Sequence, residues 1–208
     1  MDKHEAARLH EELAQEGQEY WTRGIIGRFY NMYVSSTRRF VQSFKGAKIL
    51  EIGCGEGQMT RGLYQDNEVH QVDISPTLIK KAQAYNPNAI VGDALDLPYE
   101  AGTFDAVLLV AVLEHLPDPQ LAIDQAHRVL RKGGKLLVLV PNDIWMSVGR
   151  MVLLKWPPRY PGHISFIAPG RMHALLRDKF RVAAETFMPN NPLGFWFNMY
   201  YEVVAEKL

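Results

Sequence analysis

The chain has 208 residues, 23 Lys and Arg against 23 Asp and Glu, and 47% hydrophobic residues. That length suits one domain with a full core, and a net charge of zero builds in no general attraction to nucleic acid. A single cysteine, Cys54, excludes an intrachain disulfide and a multi-cysteine zinc site, the charged start Met-Asp-Lys-His-Glu shows no signal peptide, and no apolar run reaches membrane-spanning length, so a cytoplasmic location is expected.

Residues 1–20 read as a charged helix with Leu9 and Leu13 on one side, and Trp21 to Gly27 as a break holding two glycines. Residues 28–45 predict a second helix whose stripe carries Phe29, Met32, Tyr33, Phe40, Val41 and Phe44. From Ile49 to Gly57 the chain reads Ile-Leu-Glu-Ile-Gly-Cys-Gly-Glu-Gly, an apolar strand ending in Glu51 followed by glycines 53, 55 and 57. A parallel strand that turns sharply into a helix, with its turn in backbone contact with a nucleotide-like cofactor, needs glycine for positive φ and close approach. A dinucleotide fingerprint puts glycines at relative positions one, three and six. Here the sixth position is Gln58 and the third glycine comes one residue early, so an NAD-dependent oxidoreductase fails on spacing. Glu51 stands where a carboxylate meets a cation rather than a pyrophosphate, and Cys54 reads as a small residue in a tight turn.

The next strand is Glu-Val-His-Gln-Val-Asp, ending at Asp73, where an acid closing the second strand of a βαβ unit reaches ribose hydroxyls. Ser75-Pro76 opens a helix by cap and proline. Ile90 and Val91 make a third strand, with Asp93-Ala94-Leu95 just beyond its end. There a carboxylate accepts from an exocyclic amine and the following amide donates to a ring nitrogen, which reads an adenine edge. The fourth strand has an unbroken apolar run from Ala106 to Leu113, as burial on both faces favours. Asp118-Pro119 starts a helix, Arg131-Lys132-Gly133-Gly134 ends it, and Lys135 to Val140 forms the fifth strand. Beyond it, 142–169 reads as an insertion over the strand ends, helical near Trp145 to Leu154. Arg171 to Asp178 follows as a short helix and Lys179 to Phe187 as a late strand. Residues 190–208 are aromatic-rich and fit helix or strand; the tail from Phe195 to Tyr201 suits core packing, a homodimer surface or an edge that touches a membrane.

Five motifs in this order resemble the class I S-adenosylmethionine-dependent methyltransferase family, of the small-molecule type that includes quinone-biosynthesis methyltransferases: Glu-Ile-Gly-Cys-Gly-Glu-Gly, Val-Asp-Ile-Ser, Gly-Asp-Ala-Leu-Asp-Leu-Pro, the Phe-Asp…Leu-Glu-His run, and Leu-Arg-Lys-Gly-Gly-Lys-Leu. The resemblance covers residues 46–187. It implies an α/β fold, a Rossmann-like, doubly wound, seven-stranded, mostly parallel sheet with an antiparallel edge hairpin. A helical N-terminal cap over 1–45 would precede a methyltransferase domain over 46–208, with a lid insertion at about 142–169. The implied cofactor is S-adenosyl-L-methionine, with S-adenosyl-L-homocysteine as product. Glu51 and the Gly53 backbone would hold its methionine end with the Val110 carbonyl, while Cys54, Gly55 and Gly57 line the turn. Asp73 would take the ribose, Asp93, Ala94 and Leu95 the adenine edge, and Ile74 the adenine face.

Methyl transfer from a sulfonium is an in-line displacement, so the protein must position the acceptor, exclude water and, for some acceptors, remove a proton. His115, after the fourth strand, and His163, in Pro-Gly-His-Ile-Ser-Phe, are candidate bases; each also suits a packing or loop-fixing role. Trp21, Tyr30, Tyr33, Trp145 and Phe166 are candidate walls for a small, partly apolar acceptor; ordinary packing suits each alone. No metal site is expected. Base-amine methylation fits poorly, because Val-Ala-Val-Leu-Glu-His stands where such enzymes carry a Pro-Pro-aromatic motif, and no nucleic-acid partner is expected. A catalytically silent S-adenosylmethionine-binding partner protein and a methyltransferase acting on a macromolecule remain the alternatives.

Overall fold

The computed structural model describes residues 8, 11, 24–152, 154, 156, 162–189 and 198–208. Seven strands form one sheet: β1 (Lys48–Ile52), β2 (Glu68–Asp73), β3 (Ala89–Val91), β4 (Phe104–Val110), β5 (Leu130–Pro141), β6 (Phe180–Met188) and β7 (Tyr200–Lys207). Their order is β3-β2-β1-β4-β5-β7-β6, with β1 to β5 parallel and β7 antiparallel to both β5 and β6. The helices are α1 (Gly24–Gln42), α2 (Pro76–Ala82), α3 (Pro119–Val129), α4 (Asp143–Val152) and α5 (Pro169–Leu176), and Leu113–His115 forms one 3₁₀ turn. This is the doubly wound, Rossmann-like sheet with an antiparallel edge pair. No helix among the described residues is long and apolar enough to cross a membrane.

Side chains alternate across a strand, so a strand buried on both faces feeds two cores. Leu50, Ile52, Val107, Leu109, Leu136, Val138 and Val140 face one way, onto Ala122, Ile123, Ala126 and Val129 of α3 and Met172, Leu175 and Leu176 of α5. Ile49, Ala106, Leu108, Val110, Leu137 and Leu139 face the other way, onto Val41, with Met32, Tyr33, Phe40 and Phe44 packed around them. The apolar stripe predicted for the second helix is thus part of the sheet's own core.

Three expectations differ from the structure. The chain after β1 winds through consecutive turns from Gly55 to Asp66 rather than a helix. Gly55, Gly57 and Gly62 hold φ of 56°, 76° and 78°, left-handed values that a right-handed helix cannot absorb. The break at Trp21–Gly27 gives way by Gly24, where α1 begins and runs to Gln42 rather than 45; Trp21 lies outside the described residues. Arg131–Gly134 does not cap α3, because β5 already starts at Leu130, which pairs with Phe104, and the register then shifts to Ala106 opposite Lys135. The cation that meets the end of α3 comes from β7 instead: Lys207 Nζ donates to the carbonyls of His127 at 2.6 Å and Leu130 at 2.7 Å. Of residues 190–208, Tyr200–Lys207 is strand. Its Tyr200 and Tyr201 are core residues, whereas Phe195 and its neighbours lie outside the described residues.

Candidate active site

The strand order reverses between β1 and β4, and the loops leaving the carboxyl ends of β1, β2, β3 and β4 open into one cleft there. Its lining is Gly53, then Val72, Asp73 and Ile74, then Gly92 to Leu95, and then Ala111, Val112 and His115 to Pro117; it encloses about 690 Å³, the part open to solvent included. Of the residues singled out from the sequence, the structure brings Gly53, Asp73, Ile74, Asp93, Ala94, Leu95 and His115 to this lining. Glu51, Cys54, Gly55, Gly57 and Val110 stand behind it.

Gly53 sits at φ 69°, and a Cβ there would lie 2.4 Å from Val112 Cγ2, so the loops after β1 and β4 touch only because residue 53 has no side chain. Its amide and that of Cys54 donate to Val72 O at 2.7 and 3.1 Å, which ties the turn to β2. Asp73 is buried and faces the turn: Oδ2 accepts from the Gly55 amide at 2.8 Å and Oδ1 from the Ser75 amide at 2.9 Å. Ser75 caps α2, accepting from Leu78 N, and its hydroxyl and that of Thr77 donate to the carboxylate of Glu11 from the N-terminal segment. Asp93 Oδ1 accepts from Leu95 N at 2.9 Å, so an adenine ring nitrogen at this edge would meet the amide of Ala94 rather than that of Leu95.

Glu51 lies under the turn. Its Oε2 accepts from Thr60 Oγ1 at 2.7 Å and from Gln71 Nε2 at 2.8 Å, and Asn86 Nδ2 in turn donates to Gln71 Oε1 at 3.0 Å. Burial pushes the carboxyl up to about 7, with the Thr60 and Gln71 bonds opposing and the charge of Asp73 adding to the rise. This network fastens the turn segment to the sheet. Cys54 is buried and its thiol is pushed well up by burial, then by Glu51 and Asp73, so it remains protonated at neutral pH and is no nucleophile.

A second group of side chains gathers around His115, which lines the cleft. Glu114 and His115 come from the 3₁₀ turn, and Ile164 N and Ser165 N donate to Glu114 O at 2.8 and 3.0 Å, which brings His163 alongside. The two imidazoles meet edge to face with ring centres 4.7 Å apart. His115 Nδ1 faces Gly162 O at 3.1 Å, and His163 Nδ1 pairs with Asp143 Oδ1 at the start of α4. Glu114 is 2% exposed, and its carboxyl has no hydrogen-bond partner beyond the residue's own backbone amide. Burial pushes the carboxyl up to about 8, with the backbone hydrogen bond opposing and the charge of Asp143 adding. Tyr30 meets Tyr33 edge to face and Tyr33 meets Tyr200 at a tilt, with ring centres 5.0 and 4.8 Å apart, and burial first, with neighbouring phenols and Glu114 adding, drives the Tyr33 hydroxyl far above its ordinary range. Tyr30 OH donates to Gln58, so α1 reaches over the glycine turn. Trp145 is half-buried on α4, Phe166 is exposed, and Trp21 is outside the described residues.

The sequence reading missed Glu114, Asp143 and the Ala111–Val112 bend. Glu114 was visible within Leu-Glu-His, but its burial was not. Ala111, at φ 54°, carries no sequence signal of its left-handed conformation.

A family described as "Methyltransferase domain" matches residues 50–138. The 2-methyl-6-phytyl-1,4-hydroquinone methyltransferase 1, chloroplastic, of Oryza sativa subsp. japonica is 40% identical over 111 residues, which are 49% of this chain and 34% of that protein. A ubiquinone biosynthesis O-methyltransferase of Xanthomonas oryzae pv. oryzae is 32% identical over 147 residues, 64% of this chain and 62% of that protein. The chain therefore spans between about a third and three fifths of the length of these curated relatives. Among solved structures, a SAM-dependent methyltransferase of Thermotoga maritima, titled a possible histamine N-methyltransferase, superposes with a TM-score of 0.69 at 20% identity over 97% of this chain and 99% of that one, which shows the shared fold. With the glycine turn, the two acids after β2 and β3 and the sheet order all in place, residues 50–138 match a methyltransferase domain and are similar to the corresponding part of quinone-biosynthesis methyltransferases.

Proposed function

We propose that the chain transfers the methyl group of S-adenosylmethionine to a small, partly apolar acceptor of the quinone or hydroquinone class, a reaction of class EC 2.1.1. The observation that supports this most is the cleft itself, with Asp73 and Asp93 on its walls at one end and His115 at the other. In this reading Asp73 binds the ribose diol, whose hydroxyls an acceptor-only carboxylate can receive. Asp93 and the Ala94 amide bind the adenine edge, Ile74 covers its face, and the Gly53 backbone follows the methionine end. The acceptor enters from the side of Tyr33, Tyr200, Glu114 and His163. Its nucleophilic atom attacks the methyl carbon in line with sulfur, the C–S bond breaks with its electron pair going to sulfur, and S-adenosylhomocysteine leaves. For a hydroxyl acceptor the proton passes to the histidine end, where His115 and the Asp143-held His163 are the groups in reach. In this reading α4 and α1 supply the lid over this end. The acceptor class is supported by the names of the two curated relatives and by the aromatic and apolar surroundings.

The test is calorimetry with S-adenosylmethionine, S-adenosylhomocysteine and NAD, followed by S-adenosylhomocysteine release with hydroxylated aromatic and hydroquinone probes. Binding of both sulfur compounds, none of NAD, and release dependent on a probe is expected. Binding without release from any probe would favour the silent partner protein, and no binding of either sulfur compound would refute the cofactor assignment.

A further inference from the structure

We propose that Glu114, His115 and His163 form a binding site for one divalent cation of the zinc class at the acceptor end of the cleft. Each of the three offers a ligand atom, and these atoms lie within 4.8 Å of one another. The residues are held by different segments. Glu114 and His115 belong to the 3₁₀ turn after β4, and His163 is fixed beside them by the two amides that donate to Glu114 O. The site is therefore imposed by the fold and was invisible in the spacing of the sequence, where the two imidazoles lie far apart.

Two independent features point to a cation. The first is Glu114. A carboxylate 2% exposed with no hydrogen-bond partner beyond its own backbone amide is costly in a protein interior unless a cation or a proton neutralises it. The second is the pair of contacts behind the histidines. His163 Nδ1 is held by the Asp143 carboxylate and His115 Nδ1 by the Gly162 carbonyl at 3.1 Å. Both partners are acceptors, so Nδ1 carries the proton and Nε2 the lone pair in each ring. Metal-bound imidazoles are oriented in this way by a carboxylate or a carbonyl behind them.

Two imidazole nitrogens and one carboxylate oxygen are the donor set of zinc and its first-row neighbours, whereas calcium and magnesium take oxygen ligands. Tetrahedral ligands at about 2 Å from the ion lie roughly 3.3 Å from each other, so the three side chains draw together from separations of up to 4.8 Å when the ion enters. Three protein ligands leave one position open, as in zinc sites that act on substrates rather than hold a fold together. His115 also lines the cleft, which puts the ion at its edge. An acceptor hydroxyl bound at the open position would be acidified by the ion, with the two imidazoles serving as ligands in place of bases. That last role rests on the methyl-transfer reading; the cation site itself does not.

The test uses the full chain, freed of metal with a chelator and titrated with Zn²⁺ by calorimetry and with Co²⁺ by visible absorption. One tight equivalent is expected, with a Co²⁺ spectrum of low coordination number. Glu114→Gln and His163→Ala should each weaken it at least tenfold, and Asp143→Asn, which acts through His163, about 10–100-fold. Other His–carboxylate pairs exist at His70, half-buried, with Glu68 and at His173, exposed, with Glu185, so a chain with His70→Ala and His173→Ala must keep the tight equivalent. Circular dichroism of each variant shows whether it folds; should Glu114→Gln not fold, Asp143→Asn and the Co²⁺ spectrum decide. Absence of a stoichiometric equivalent, its survival in both Glu114→Gln and His163→Ala, or its loss with His70 and His173 overturns the site. S-adenosylhomocysteine binding measured on the same sample keeps the outcomes apart, since a chain that binds it but no cation refutes this site alone.

Discussion

Glu51 ties the fold to the pH. Its carboxyl is fully enclosed and held at about 7, against 4.5 for the unfolded chain. The sign follows from the two proton affinities. Below pH 4.5 the carboxyl is protonated in both states and folding is not penalised. As the pH rises towards 7 the unfolded chain releases its proton while the folded chain keeps it, so stability falls, and above 7 the loss is complete. At ~1.4 kcal/mol for each tenfold difference in proton affinity, the span from 4.5 to about 7 corresponds to roughly 3 kcal/mol. For a chain of this size that is on the order of 6–12 °C in Tm. Glu51→Gln keeps an acceptor oxygen for Thr60 and Gln71 and removes the ionisation. Urea denaturation of the two proteins, at pH 5 and at pH 8 in the presence of a chelator, isolates the effect, because every other titrating group cancels in the difference. Relative to the parent, the variant should gain about 2–3 kcal/mol between pH 5 and pH 8. An unchanged difference between the two pH values would refute the reasoning and place the Glu51 carboxyl in contact with water.

Asp73→Ala should weaken S-adenosylmethionine binding by about 1–3 kcal/mol, because amides and hydroxyls lose their acceptor; unchanged affinity by calorimetry would remove Asp73 from the cofactor site. Gly53→Ala drives a Cβ to 2.4 Å from Val112 Cγ2 at a left-handed φ, so it should cost about 2–4 kcal/mol of stability. Adding Val112→Ala should restore part of that, and a double variant no more stable than Gly53→Ala alone would show that the backbone conformation, not the contact, sets the cost. Gly92→Ala meets Val72 Cγ1 at 2.9 Å; it should lower S-adenosylhomocysteine affinity by shifting the β3 loop, and normal affinity in calorimetry would count against that.

Much of the fold was legible in the sequence because it rests on local chemistry. Near-continuous apolar runs place β1, β4 and β5 inside a sheet covered on both faces. Ser75-Pro76 and Asp118-Pro119 start helices at Pro76 and Pro119. Glycine 53 and the acids at 73 and 93 follow strand ends, and strand ends of a parallel sheet converge on one edge, so their meeting in one cleft followed from order alone. Tertiary contacts decided the rest. Whether the segment after Gly53 becomes a helix depends on how Glu51, Thr60, Gln71 and Asn86 fasten it down, and these residues come from separate elements. Tyr200–Lys207 became strand β7 because β5 and β6 offered it backbone partners on both sides. The burial of Glu114 and its meeting with His115, His163 and Asp143 depend on a loop returning from beyond β5 to the end of β4. No local pattern encodes such a contact, since burial and pairing are properties of distance in space rather than of position along the chain.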